Sequence, residues 1–393
     1  ETRYSLRLMA AAHTPKTDAE GKPLEATFDV PGSGILYDAS RNVVSEPMNT
    51  NKFTGDQAYD GTPIDASDEV DGGIDFVSRA DMDTSMATAT DRTPDRAISD
   101  EARALHRYTD EMAERWDNAT TDIFGDPVNV SAPQFGQGGS EEIATGRMPS
   151  DATELGLALG ASYDDERWDA LLSQMTRSEA ADLAGHGPTG AAPAINSIGL
   201  PSLTAFDGPS QIGGFTSAGY RTTGYPNATV MAQTWNIELI MNFGTALGKE
   251  GLTRGVQGWY GPAVNMHRSP FGGRNYEYYS EDSYLSGTMC AAAMRGAKNA
   301  GMFCYLKHLA LYEQESNREA LFTWLSEQSL REIYLRPFEI ALKEEEGSMS
   351  GLMSAYGRVG AVWTGGSESL ITGVLRNEWG YHGAIITDYS DNP

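Results

Sequence analysis

Hydrophobic and polar positions change rhythm twice along this chain. Over the first 50 residues, short alternating segments (RYSLRLM, then ATFDVPGSGILYD) are separated by proline and glycine turns, a pattern that predicts small antiparallel strands with residue 1 already inside a domain. Residues 51–160 lose that pattern. They are acidic and rich in Asp, Thr, Ser and Gly, with one helical spacing (Ala104, Leu105, Tyr108, Met112, Trp116) that predicts a helix over 100–116. So little apolar content cannot support a core, and the stretch reads as a long connector lying over a neighbouring surface. From residue 161 onward apolar runs alternate with helical stripes. Trp168, Leu171, Leu172 and Met175 mark one helix, and Thr176 with Glu179 makes a capping box that opens a second toward Leu183. Near-continuous apolar runs at 203–206, 256–260, 302–306, 351–355 and 384–387 predict strands buried on both faces. Helices are predicted at 237–249 and 326–343, the latter with Leu330, Ile333, Tyr334, Phe338 and Ala341 on one face. Strand–helix alternation with right-handed crossovers makes an α/β fold around a parallel sheet, either a barrel or a doubly wound sheet.

Composition narrows the partners. A formal net charge of −26 over 393 residues disfavours nucleic acid and acidic membrane surfaces, and a neutral or cationic ligand is expected. The two cysteines, Cys290 and Cys304, stand in no metal or disulfide spacing, so no metal site is predicted. No apolar run is long enough to span a membrane. The sequons at Asn118, Asn129 and Asn227 read as chance. Neither G-x-G-x-x-G after a strand, nor a P-loop, nor a serine elbow is present, so no cofactor is predicted.

Chemistry gathers where the predicted strands end. The first ends in Asp207 (FDGPS), the third in Lys307 and His308, the fourth in Tyr356 and the fifth in Asp388 (IITDY). The second runs into residues 261–285, GPAVNMHRSPFGGRNYEYYSEDSYL, where Asn265, His267, Arg268, Arg274, Glu277, Glu281 and Asp282 are interleaved with tyrosines. Each has a bland alternative. Asp207 can cap a turn before Gly208, Tyr356 can be core, and the loop can be a solvated surface with a structural Arg–Glu pair. Adjacent Lys307 and His308 should face opposite sides of a strand, which leaves one of them for packing. Asp388 is the sharpest single signal, because a carboxylate ending a buried strand must be partnered or desolvated. Together these positions describe one edge of a barrel, the edge where barrels bind ligands. A carboxylate among an acid, an arginine, a Lys–His pair and tyrosines suits attack at the anomeric carbon of a bound sugar. Arg274, charged at any working pH, suits a clamp rather than a catalyst. Glu277, Glu281 and Asp282 are expected to brace it and the neighbouring backbone.

The stretches SLTAFDGPS, GPAVNMHRSPFGGRNYEYYSED, YLKHLALYEQESNRE, GLMSAYGRVGAVWTGG and GAIITDYSD resemble, in order and spacing, the barrel domain of glycoside hydrolase family 3 over residues 160–393. ILYDASRNVVSEPMNTNKF followed by IDFVSRADMD resembles the exit from a fibronectin-III-like domain in the family's permuted-domain subgroup. The resemblance implies three regions. Residues 1–50 would end a fibronectin-III-like β-sandwich, 51–160 would form the connector, and 161–393 would be a (β/α)8 TIM-like barrel incomplete at its C-terminus. It implies a retaining β-glycosidase, most often a β-glucosidase, with Asp388 as nucleophile and Asp207, Arg274, Lys307, His308 and Tyr356 around the innermost sugar. A salt-bridged or multiply hydrogen-bonded Asp388 would stay ionised, as a nucleophile must. The general acid of this family usually comes from an α/β sandwich domain, so the acid/base is expected outside this chain, on the same polypeptide or a partner. KHLALYEQESNR departs from the KHFPGHGD-like loop of the N-acetylglucosaminidase branch. The alternatives are a non-catalytic carbohydrate-binding or scaffold protein that keeps the sugar subsite, and an α/β oxidoreductase.

Overall fold

The computed structural model describes residues 2–11, 14–30, 36–37, 43–44, 149–160, 162, 164–185, 191–213, 222–316, 318–323, 325, 327–344, 350–360 and 362–389. The helix predicted over 100–116, Asn118, Asn129 and most of the predicted connector lie outside these residues. The chain divides into two units, Glu1–Asn51 and Lys52–Pro393.

In the first unit the described strands are β1 (Thr2–Arg7), β2 (Met9–Ala11), β3 (Thr14–Pro15), β4 (Glu25–Val30), β5 (Leu36–Tyr37) and β6 (Val43–Val44). All pair antiparallel, β1 with β4, β2 with β3 and β5 with β6. The register Thr2↔Val30 to Arg7↔Glu25 sets charges opposite one another on alternate positions, giving the ion pairs Arg3–Asp29 (2.7 Å) and Arg7–Glu25 (2.9 Å). The pairs are exposed and screened by solvent, so they fix register more than they add stability. Between them on the opposite face Tyr4 stacks on Phe28.

Among the described residues, the second unit has first the helices α1 (Pro149–Leu159), α2 (Arg167–Leu172) and α3 (Arg177–Gly185). Leu159 is buried against Leu171, with Leu155 and Trp168 beside them, so this end of the predicted connector packs with the residues that follow it. The expected stripe is shorter than predicted, because α2 ends at Leu172 and Met175 is buried from the turn beyond it. The capping box is present and reciprocal. Thr176 N donates to Glu179 Oε2 (2.9 Å) and Glu179 N to Thr176 Oγ1 (3.1 Å).

Next come β7 (Ala191–Ala192), β8 (Leu203–Asp207), α4 (Ala228–Ala232), α5 (Ile237–Thr253), β9 (Gly258–Tyr260), α6 (Ser283–Asn299) and β10 (Phe303–Leu309). After β11 (Phe322–Thr323), a π turn at Leu330–Tyr334 leads into α7 (Arg336–Glu344). The chain then runs through β12 (Gly351–Ser354), β13 (Arg358–Val359), β14 (Val362–Trp363), a π-helical stretch Ser369–Glu378 and β15 (Ile385–Ile386). One sheet has the order β15-β12-β10-β9-β8-β7; β8, β9, β10, β12 and β15 are parallel and β7 is an antiparallel edge. The five parallel strands are the five read from apolar runs. Among the described residues they form an open, half-barrel sheet whose two edges are β7 and β15.

α6 was not anticipated. Its sequence, SYLSGTMCAAAMRGAKN, has small residues all round rather than one apolar stripe, because it is buried on nearly every face. Asp282 caps it, accepting from Leu285 N at 2.6 Å, so this acid braces neighbouring backbone, one of the two tasks expected of it. α5, capped by Asn236, packs so closely on α6 that a Cβ on Gly244 would lie 2.0 Å from Ala293 O, and one on Gly296 would lie 2.0 Å from Met241 O. Gly244→Ala and Gly296→Ala should each destabilise by about 1–3 kcal/mol or more, since backbone rather than a side chain would have to move. Gly156→Ala in α1, where a Cβ would meet only Leu171 at 3.7 Å, should be neutral or stabilising by up to about 1 kcal/mol. Urea denaturation midpoints check the contrast.

Candidate functional site

The parallel strands bring their polar ends to one edge of the sheet. Asp207 is the last residue of β8. Gly208 follows with φ +130°, and a Cβ there would lie 1.7 Å from Gln211 O, so the turn requires glycine. The Trp259 indole on β9 donates to Gly208 O at 2.6 Å and ties this turn to the neighbouring strand. β9 runs on into the loop 261–282, which stays beside β10: Lys307 N donates to Pro262 O (3.0 Å) and Val264 N to Lys307 O (2.8 Å). Further along, His267 Nε2 lies 2.8 Å from Asn275 O and 3.0 Å from Tyr278 O, which folds the loop back on itself and presents Arg274.

All six sequence-predicted residues converge. Lys307, buried, donates to Asp207 Oδ1 at 2.9 Å. Arg274 pairs through Nε with the buried Glu277, and its other donors reach His308 Nε2 at 2.8 Å. Its guanidinium also lies 5.0 Å from the centre of the Tyr312 ring. His308 is fully buried, edge-on to Tyr312 and Tyr278, and its Nε2 is 3.6 Å from Asp388 Oδ2. Tyr356 packs edge-on against Tyr312 and under the Arg318 guanidinium (4.8 Å), and burial with the nearby Asp388 charge pushes its hydroxyl up to about 12.

Two expectations change. Lys307 and His308 do not divide between site and packing, because both side chains meet site partners. β10 is irregular at this point, its register against β12 slipping between Leu306 and Leu309, so strict alternation does not hold. Asp388 is neither salt-bridged through a cation nor multiply hydrogen-bonded. Its Oδ1 accepts from Tyr389 N (2.7 Å), while Oδ2 is enclosed and without a hydrogen-bond partner. Burial raises its pKa, opposed by the charges of Arg274 and Lys307. Of the three acids expected to brace Arg274 and the neighbouring backbone, Glu277 pairs with Arg274 and Asp282 holds the backbone at Leu285 N. Glu281 instead lines a separate cleft of about 580 Å³ with Arg268, Tyr284, Arg331 and Arg336.

Sequence reasoning gave no role to four residues here. Asn265 bonds the backbone of His308, and Tyr312 supplies the ring on which Arg274 rests. Arg318 covers Tyr356 and donates to Glu315 Oε2 at 3.2 Å. Glu313 receives Met266 N at 3.3 Å behind the loop, and burial pushes its carboxyl up to about 7 although Met266 N–H, Arg268 and Asn265 favour the charged form. The rule that singled out Asp388, an acid just past a buried strand, applies equally to Glu313.

A carboxyl protonated more readily in the native state than in the unfolded chain stabilises below the unfolded value. That contribution is lost as pH rises through about 7. Relative to Glu313→Gln, the wild type should therefore lose up to about 3 kcal/mol between pH ~4.5 and pH ~8. Denaturant unfolding of both proteins across that range measures the difference.

Fold and site together define a (β/α) protein of the barrel class, with a cluster of polar side chains at the C-terminal ends of its parallel strands. Residues 190–392 match the family model described as glycosyl hydrolase family 3 N terminal domain, and the chain belongs to that family. Among curated relatives, β-glucosidase A of Butyrivibrio fibrisolvens is 38% identical over 58% of this chain and 27% of its own length. A β-glucosidase of Ruminococcus albus is 40% identical over 52% of this chain and 21% of its own. A solved β-glucosidase from Streptomyces venezuelae, in complex with D-glucose, is 31% identical with a TM-score of 0.52, covering 58% of this chain and 29% of that one. The matched segment thus spans about a quarter of the length of these relatives.

Proposed function

We propose that the protein to which this chain contributes is a retaining β-glycosidase, acting on terminal non-reducing β-D-glucosyl residues, with Asp388 as nucleophile. The observation that carries this reading is Asp388 Oδ2, an enclosed carboxylate oxygen without a hydrogen-bond partner, 3.6 Å from a histidine that is itself clamped to Arg274. The lone pairs of such an oxygen are uncommitted, so it can attack an anomeric carbon as the glycosidic C–O bond breaks and the aglycone leaves with a proton from the general acid, forming a glycosyl ester that water later hydrolyses. Asp207 and Lys307 are already paired at 2.9 Å, and the lysine keeps two further N–H donors for sugar hydroxyls. Arg274, fixed by Glu277 and His308, is a second donor of fixed charge. Tyr356 stands beside the nucleophile as an un-ionised phenol. β-Glucosidase relatives and a glucose-bound structural neighbour support glucose as the sugar. Retention requires a second carboxyl about 5–5.5 Å from the nucleophile, which we assign to a domain outside this chain.

The test uses the full-length protein and an activated 2-fluoro β-glucoside, whose good leaving group tolerates a missing acid. Mass spectrometry should find a covalent adduct on Asp388, and the adduct should vanish in Asp388→Asn with a loss of turnover of about 10³-fold or more. Because burial raises the Asp388 pKa, the labelling rate should fall with acid through a pKa above the usual Asp value of about 3.9. Binding of glucose with no adduct under any condition would leave the non-catalytic sugar-binding reading in its place.

A further inference from the structure

Beyond the residues that face a ligand, one buried amide controls how they are presented. Asn265 is 1% exposed and spans the backbone of His308. Its Nδ2 donates to His308 O at 2.8 Å, and its Oδ1 accepts from His308 N at 2.8 Å. These two bonds settle the amide's orientation, since a flipped Asn265 would set donor against N–H and acceptor against C=O. Its Oδ1 therefore faces His308 Nδ1, 3.4 Å away. On the other side of the ring, Arg274 lies 2.8 Å from Nε2, and a guanidinium can only donate. Both neighbours demand the same arrangement, a proton on Nδ1 and a bare Nε2.

We propose that Asn265 is a positioning residue: it holds His308 as the Nδ1–H tautomer, and the bare Nε2 then fixes Arg274 and withholds a hydrogen bond from Asp388. The second consequence follows from the 3.6 Å separation of Nε2 and Asp388 Oδ2. In the opposite tautomer Nε2 would carry a proton, lose Arg274 and bind the carboxylate oxygen that has no partner in this arrangement. The groups that face His308 from neighbouring elements are Arg274, Lys307 and Arg318, with Asp388 and the rings of Tyr278 and Tyr312. Burial and the three cations hold the imidazole neutral, so the choice is between two neutral forms. What the clamp holds rests on the glycosidase reading; its geometry does not.

Nitrogen-15 NMR of histidine-labelled full-length protein near neutral pH reads the tautomer directly, with His308→Gln assigning the signals. A protonated Nδ1 and bare Nε2 at His308 are expected, whereas a protonated Nε2 overturns the proposal in the wild type alone. In Asn265→Ala the signature should move toward Nε2–H, and labelling of Asp388 by the 2-fluoro glucoside should slow about 10-fold or more. A variant that is less heat-stable but keeps the wild-type tautomer shows a purely structural asparagine and overturns the proposal. A wild type with the expected tautomer that never labels supports the positioning role and overturns the glycosidase reading instead.

Discussion

Strand β10 carries an amine and an imidazole into the interior, and most of the surrounding polar cluster is arranged to make that tolerable. An unpaired buried charge costs several kcal/mol or gives up its proton. Lys307 has a carboxylate partner in Asp207, two strands away across β9, at 2.9 Å. His308 takes the other course: it is buried neutral, with a donor on one side and an acceptor on the other. Arg274 enters the same enclosure from a loop and brings Glu277 with it. The result is a cluster in which nearly every polar atom is committed to a neighbour, with Asp388 Oδ2 among the exceptions.

Holding these residues together depends on how closely the layers behind them pack. The contact of α5 with α6 is backbone against backbone at Gly244 and Gly296, and α6 fills its site with alanines and other small side chains. At that distance interdigitation leaves little slack. The loop 261–282 is set by the same economy of space. A Cβ on Gly273 would lie 2.9 Å from Glu315 Cγ, so any larger residue there would push the Glu315 side chain or the loop aside. The carboxylate of Glu315 in turn stands 4.0 Å from Arg274 and holds Arg318 over Tyr356.

The parallel strands were legible because a strand buried on both faces reads as an unbroken apolar run, and the polar residue ending each run stands out against it. That is why Asp207, Tyr356 and Asp388 were found one by one. Arg274 and the Lys307–His308 pair were legible as chemistry but not as geometry, since alternation predicted one of the pair to face away and the irregular register of β10 admits both. α6 escaped because periodicity needs a polar face, and a helix enclosed on nearly all sides has none. The bracing expected of three acids is divided, Glu277 holding Arg274 and Asp282 the backbone at Leu285, while Glu281 lines a separate cleft.

By itself the sequence determined the kinds of element, their order and the chemical types gathered at one edge, since these follow from local hydrophobic pattern and from which residues end buried strands. Tertiary structure decided everything that depends on distance. It paired Lys307 with Asp207 across one hundred residues of chain, set Asn265 on the backbone of His308, and left one oxygen of Asp388 unbonded. The physical reason is common to all three. A proton's place and a charge's cost are fixed by atoms within about 3–4 Å, and no spacing along a chain encodes which distant residues those will be.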